Sequence, residues 1–399
     1  LYKAKYLHYQ QAETNTSIRE GWFYRDDTHQ KVRSTDDVFD IYERAVGGNS
    51  TFLLNIPPNR DGKFSPTDVA VLKETGQRIR ETYGTDLFRQ AKGPKEVLDQ
   101  NADTYVTADK DGAGIVISTP RPVTLNRLVL QEAIATNGER VERHAVDAWI
   151  DGGWKEIAHA TNIGYKRILR FPDVTTDKIR VRILESRLTP AICTISAHHY
   201  KARPPRLSAQ RSMDGLVTIE PMAQEFGWKA HGENIAENLN AGFKIYYTTD
   251  GTEPSAGSTE YKAPFLMGNS ELKAVAILNG EKGAILQERF GLVKKGWKIA
   301  DKTAQSLAID LGSQQTVSGF AFTPQKQGGK GTVAGIIRIS NDGKNWKEVE
   351  RFEFGNLIND PSKRYHHFKQ TVKARYVQVE AAEIAAHTEA AALAGIDIF

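Results

Sequence analysis

Cysteine is almost absent from this 399-residue sequence: Cys193 stands alone, which excludes an intramolecular disulfide framework and a zinc site built from cysteines. Its setting in the apolar run AICTIS is that of a small core residue. Long hydrophobic runs are missing too, and nothing approaches the roughly 18 to 20 apolar residues that cross a bilayer as a helix. Neither charge dominates. The 53 Lys and Arg stand against 49 Asp and Glu, a net +4, and the basic residues are scattered among acids, so no electrostatic footprint for nucleic acid exists. Leu1 opens the sequence without a methionine or a basic-then-apolar leader, so no targeting signal is read from it.

What is present is an ordinary globular composition, 40% hydrophobic and 26% charged, in a chain long enough for about two to four domains. The first 90 residues alternate helix, strand and helix. In STDDVFDIYERAVGG, Ser34 caps the first free amides with Asp37 three residues on. Val38, Ile41, Tyr42 and Ala45 make one apolar face, and Gly47 or Gly48 supplies the stop. STFLLNI, bounded by Asn49 and Pro57-Pro58, is too short for a helix and reads as a fully buried parallel strand. Ser65 and Pro66 then start a second helix, with Val69, Leu72, Ile79 and Tyr83 at helical spacing up to Gly84. This is the alternation of an α/β barrel, yet far short of the about 200 residues that close one.

Beyond about residue 95 the pattern changes to short alternating strands, such as KIRVRILES, the signature of β-sandwiches. An internal repeat links the two ends of this region. Asp151-Gly152-Gly153-Trp154-Lys155-Glu156-Ile157 returns as Asp342-Gly343-Lys344-Asn345-Trp346-Lys347-Glu348-Val349, followed in each case by an alternating strand, KIRVRI and then ARYVQVE. Two copies of one β module therefore flank an insert that starts near the Pro204-Pro205 linker and carries a tight-turn signal at Asp250-Gly251. The expected division is 1–92, part of an α/β barrel; 93–203, a sandwich; 204–292, a small β domain; and 293–399, a second sandwich. The fold class is thus multidomain, a partial (β/α)8 barrel segment followed by β-sandwich domains.

Several residues invite a functional reading that a plainer one outweighs. Trp154 and Trp346 suit the stacking of a sugar ring, but a tryptophan beside a hairpin turn is more simply a core anchor held between sheets. His198-His199 and His366-His367 point to opposite faces of a strand and cannot both reach one ion. Asp109-Lys110-Asp111-Gly112 is the nearest approach to a calcium loop and lacks its closing glutamate; a turn is the simpler reading.

The densest chemistry lies in QAETNTSIREGWFYRDDTHQ, residues 11–30, where Glu13, Arg19 and the trio Trp22, Phe23 and Tyr24 crowd together. In α/β barrels the loops after the strands carry the catalytic groups. A glutamate beside apolar rings has surroundings that disfavour its charged form and keep a proton available for acid catalysis. On composition alone, a solvated loop glutamate is the competing reading.

AETNTSIREGWFYR, followed by DVFDIYERAVGGNSTFLLNIPPNRDGKFSPTDVAVLKETG, resembles the closing part of the catalytic barrel of the family 29 α-L-fucosidases, over residues 10 to about 83. Gln11, Asn15 and Glu20 depart from the commonest Pro, Asp and Pro of that pattern, while the glutamate, the SIR and the GWFY stand. Residues 100–200 and 293–399 resemble discoidin-type, galactose-binding-like sandwiches, and the YYTTDGTEP insert is similar to the small C-terminal β domain of chitobiases. The resemblance implies a retaining glycosidase that removes α-L-fucose from fucosylated oligosaccharides or glycoconjugates, with α-1,3 and α-1,4 linkages favoured. It places Glu13 as general acid/base and Trp22 in the fucose pocket. Arg19 belongs to the motif as a substrate contact or as a brace of the loop. The nucleophilic aspartate would lie on an earlier barrel strand, so the partner required is the N-terminal barrel portion of the same enzyme. The resemblance further implies no required cofactor, room for a structural calcium in a sandwich, and a periplasmic or extracellular location. The alternative is a non-catalytic carbohydrate-binding or scaffold fragment of such an enzyme; an adhesion role, resting on the reuse of discoidin folds alone, ranks last.

Overall fold

The structure, a computed structural model, describes residues 8–19, 21–24, 32–107, 114–221, 242–324, 331–354, 363–385 and 395–399. The chain divides into two compact units that part between residues 201 and 202. The Asp109–Gly112 segment lies outside the described residues.

The first unit opens with an α/β fragment. Strand β1 (Ala12–Ser17) runs parallel to β2 (Ser50–Asn55) in the register Ala12 to Ser50 through Ser17 to Asn55. Helix α1 (Thr35–Val46) connects them, and α2 (Pro66–Tyr83) follows. Ser34 caps α1 as its sequence implies, its hydroxyl accepting from the Asp37 amide at 3.2 Å. Ser65 precedes Pro66 at the start of α2, but its side chain makes no cap bond.

The buried faces depart from simple periodicity. On α1 it is Val38, Phe39, Glu43 and Ala45 that are buried, while Ile41 and Tyr42 are half-exposed. On α2 the buried positions are polar, Asp68, Thr75, Arg78 and Thr82, and the apolar line from Val69 to Tyr83 is only half-covered. The expectation of a fully buried β2 also fails. Thr51 and Leu53 are exposed, because among the described residues β2 has only β1 beside it and one face of the pair is uncovered.

The same unit holds a six-stranded sheet of β3 (Val106–Thr107), β4 (Ile115–Glu132), β5 (Val141–Ile150), β6 (Gly153–Ala160), β7 (Arg167–Ser186) and β8 (Ala191–His198), in the order β3-β8-β4-β7-β5-β6. The long antiparallel pair β4–β7 breaks register between Ser118 and Val123 and again between Leu125 and Arg127. Its Ile115–Ser118 end continues through β7 into β5 and β6, and its other end is joined by β8. Such irregularities bend strands, and the two layers they make share the core of Ile117, Leu125, Leu128, Val146, Ile179, Val181 and Ile195. Cys193 is buried on β8, and burial pushes its thiol up, as suits an unreactive core residue.

Helix α1 is fastened to this sandwich. Arg127 of β4 donates from Nε and Nη2 to the Glu43 carboxylate at 2.7 and 3.2 Å, with both side chains fully buried. Arg170 of β7 reaches Asp40 at 2.9 Å and Glu43 at 3.4 Å, and the Tyr83 hydroxyl donates to Glu43 at 2.6 Å. At Gly47 a Cβ would meet the Glu43 carbonyl of the same helix at 2.3 Å and Ile168 of the sandwich at 2.5 Å, so both leave room only for glycine. Asn49, in the left-handed region, accepts from the Tyr165 amide at 2.8 Å and donates from its own amide to Lys166.

The second unit begins with β9 (Leu207–Arg211), β10 (Leu216–Pro221), β11 (Lys244–Thr248), β12 (Thr259–Glu260), β13 (Phe265–Leu266), β14 (Ser270–Leu278), β15 (Glu281–Lys282) and β16 (Leu286–Phe290). These form two small sheets, β13-β10-β9 and β12-β11-β14-β15 with β16 also on β14, around a core that includes Val217, Ile219, Leu272 and Phe290. Gly251 turns at φ 86° after β11, where the Asp250-Gly251 signal stands.

The rest is β17 (Lys298–Lys302), β18 (Ser306–Phe322), β19 (Gly331–Ser340), β20 (Lys347–Glu353), β21 (Arg364–Ala385) and β22 (Ile396–Ile398), ordered β17-β18-β21-β19-β20 with β22 on β18. The run β18-β21-β19-β20 reproduces β4-β7-β5-β6, and β22 joins β18 as β8 joins β4. The repeat in the sequence is thus a repeat of topology. Its turns differ. Asp151 and Gly152, both at positive φ, form a two-residue link between β5 and β6, whereas the second copy is a longer loop whose Asp342 carboxylate accepts from the Lys344 and Asn345 amides at 2.8 Å.

The two tryptophans are not core anchors. Both are half-buried: Trp154 meets Trp149 edge-on across the β5–β6 ladder with Arg180 over its ring at 4.7 Å, and Trp346 meets Tyr376 edge-on. Trp154 lies at the start of the edge strand β6, and Trp346 immediately precedes β20. The adjacent histidines diverge as expected, His198 buried and His199 half-exposed against Asp173 at 3.3 Å.

Candidate active site

The carboxyl ends of β1 and β2 are stitched together. The Ile18 amide donates to the Asn55 carbonyl at 2.9 Å, and the Asn55 side chain donates to the Ser17 hydroxyl at 3.2 Å and to the Trp22 carbonyl at 2.7 Å. Ser17 in turn donates to the Gly21 carbonyl at 2.8 Å. These bonds fold the chain sharply after β1 and hold Trp22 at the strand ends, its ring 46% exposed.

Arg19 is a brace. Its Nε and Nη2 bond both oxygens of Asp68 at 3.1 and 2.8 Å, Nη2 also reaches Thr67 at 3.4 Å, and the guanidinium lies over the Tyr24 ring at 5.5 Å. Asp68 is fully buried in the first turn of α2 and Arg19 nearly so. The paired fork geometry of guanidinium and carboxylate makes this a strong and specific tie, and it points the arginine into the protein. Arg33 adds a second tie, donating from Nε to the Ser17 carbonyl at 2.8 Å.

Glu13 stands apart from this cluster. It is the second residue of β1, opposite Thr51, on the uncovered face that also exposes Asn15, Thr51 and Leu53. Ser17 is four residues further on, about 13 Å at strand rise. The described structure therefore brings Trp22, Arg19, Asn55 and Asp68 together, and leaves Glu13 on the open face of the strand that leads to them. Neither β1 nor β2 carries another carboxylate.

Asn55 and Asp68 escaped the sequence reading. Asn55 closes the apolar run STFLLN, and a polar residue at the end of such a strand was the available signal. Asp68 looks like any acid in the first turn of a helix, and nothing local marks it as the partner of an arginine 49 residues away.

Comparison with known proteins agrees with the resemblance read from the sequence. Residues 2–83 match the family model described as Alpha-L-fucosidase, 235–290 the one described as Fn3 associated, and 267–395 the F5/8 type C domain. Putative alpha-L-fucosidase 1 of Oryza sativa subsp. japonica is 30% identical over 199 residues, 45% of this chain and 38% of that protein. Alpha-L-fucosidase 1 of Arabidopsis thaliana is 29% identical over 200 residues, 45% of this chain and 39% of that protein. Among solved structures, a putative alpha-L-fucosidase from Bacteroides ovatus is 28% identical, with 98% of this chain and 52% of that one covered and a TM-score of 0.44. The chain thus spans about two fifths of the length of the curated relatives it matches. Residues 2–83 are similar to the α-L-fucosidases, and the C-terminal part is similar to the F5/8 type C domain.

Proposed function

We propose that this chain is the C-terminal portion of a retaining α-L-fucosidase, with Glu13 as its general acid/base and Trp22 lining the fucose pocket. The observation that carries this reading is the family match over residues 2–83, which takes in Glu13, Trp22 and the strand ends stitched by Asn55.

Retaining glycosidases need two carboxyl groups about 5 to 5.5 Å apart, one attacking the anomeric carbon and the other serving the leaving oxygen. Since β1 and β2 supply only Glu13, the nucleophilic aspartate belongs to a barrel strand preceding this sequence. The edge of β1 away from β2, which pairs with no other strand among the described residues, is where such strands would add. In the first step the aspartate attacks the anomeric carbon as Glu13 protonates the departing glycosidic oxygen. In the second, Glu13 takes a proton from water, which hydrolyses the glycosyl-enzyme and returns both carboxyls to their starting states. Arg19 and Asp68 hold the loop and do not touch the sugar. The substrate is a fucosylated oligosaccharide or glycoconjugate with α-1,3 or α-1,4 linkage, and the setting is periplasmic or extracellular; a calcium in either sandwich would be structural, outside the chemistry.

Glu13→Gln in the enzyme with its complete barrel tests the assignment. Hydrolysis of a substrate with a poor leaving group should fall about 100-fold or more, while an activated aryl fucoside, which needs little protonation, should suffer less in its first step. Full activity on the poor leaving group would remove Glu13 from the mechanism.

A further inference from the structure

Phe64 is 53% exposed and sits immediately before Ser65, at the start of α2. The loop that presents it is closed on itself. The Asn59 amide donates to the Lys63 carbonyl at 2.8 Å, and the Asn59 side-chain oxygen accepts from the Asp61 and Lys63 amides at 3.0 Å. Gly62 turns at φ 69°, a conformation that suits glycine.

This loop leaves β2 at the end where the Trp22 loop leaves β1, since the strands are parallel and Ser17 is opposite Asn55. The Trp22 loop is tied to the first turn of the helix that Phe64 precedes. Arg19 bonds Thr67 and Asp68, three and four residues after Phe64. Trp22 and Phe23, 46% and 77% exposed, stand on the other loop of the same rim. Several large rings exposed at one end of one strand pair, on loops held by buried ion pairing, are more than the scattered surface apolars of a globular protein. A flat exposed ring, on a loop that also carries Asp61 and Lys63, matches a pyranose, whose axial C–H groups form an apolar face while its hydroxyls project at the edge.

We infer that Phe64 is the platform for the sugar to which fucose is attached, so that the 59–64 loop selects the acceptor while Trp22 serves the fucose. This rests on the fucosidase reading above.

The test compares two substrates in the enzyme with its complete barrel. α-L-Fucosyl fluoride has a single atom as leaving group; a fucosylated trisaccharide places a sugar there. Phe64→Ala should lower the ratio of kcat/KM for the trisaccharide to that for the fluoride about tenfold, mainly through KM. Phe64→Leu, which keeps apolar bulk without a flat face, should lower it as well, and Phe64→Tyr should restore it. Trp22→Ala should depress both substrates. An unchanged ratio in a normally folded Phe64→Ala or Phe64→Leu protein overturns the inference and leaves the fucosidase reading in place. A parent enzyme inactive on both substrates overturns that reading, and the inference with it.

Discussion

Arg127 and Glu43, 84 residues apart, meet through two hydrogen bonds of 2.7 and 3.2 Å with neither side chain reaching solvent. One comes from the first sandwich and the other from the helix that positions the candidate active-site strands. A domain that merely followed another in the chain would not bury a charge from each. The first sandwich is therefore built into the α/β fragment.

Removing Arg127 takes away the two shortest cationic contacts of the buried Glu43 carboxylate and leaves it Arg170 at 3.4 Å and the Tyr83 hydroxyl. Arg127→Met should destabilise the first unit by about 3 to 5 kcal/mol, measured by denaturant unfolding. The double variant Arg127→Met with Glu43→Gln should recover part of that loss, because the buried carboxylate charge is gone. Additive losses would show that the pair is not coupled.

The tie between Arg19 and Asp68 should behave likewise. Asp68→Asn should cost about 3 to 5 kcal/mol and free the loop that carries Trp22. Limited proteolysis at residues 21–24 and a red shift of tryptophan fluorescence would report this. A loop as resistant as the parent's would place its anchor elsewhere.

Acid should loosen the first sandwich through His144. This residue is fully buried, donates from Nδ1 to the Thr161 carbonyl at 2.7 Å, and is held down to about 4 chiefly by burial. Unfolded, it takes a proton near pH 6.5; folded, only near pH 4. Its contribution is thus fully present above pH 6.5 and is lost as pH falls toward 4, in total about 3 kcal/mol at 1.36 kcal/mol per pKa unit. His144→Asn, which keeps a donor and does not titrate, should flatten unfolding free energy against pH across that window.

Gly164 should resist substitution more than other left-handed glycines. A Cβ there would fall 2.2 to 2.6 Å from the Asn49 side chain at φ 63°, whereas at Gly152, φ 79°, it would meet nothing within 4 Å. Gly152→Ala should cost about 1 kcal/mol for backbone conformation alone, and Gly164→Ala clearly more, read from thermal melts of the two variants side by side. Equal costs would mean that Asn49 moves aside freely.

The activity prediction is the plainest. The 399-residue chain by itself should hydrolyse no fucoside, since β1 and β2 offer one carboxylate where the chemistry needs two. Turnover that survives rigorous purification and vanishes with Glu13→Gln would refute it.

What the sequence determined by itself is whatever near neighbours control. Ser34 capping α1, Pro66 opening α2 and the turn at Asp151-Gly152 are set within a few residues by backbone sterics and hydrogen bonding. The duplicated DG-W segment foretold a duplicated topology, although the two turns themselves differ. Tertiary structure alone decided which charges are buried together and which faces remain open. Arg19 and Asp68, Arg127 and Glu43, Asn55 and Trp22 are joined across 33 to 84 residues, and their energies depend on desolvation and geometry that exist only once the chain has folded. The same holds for Glu13: its motif carries the resemblance, but its place on a strand face uncovered among the described residues follows from which strands stand beside it.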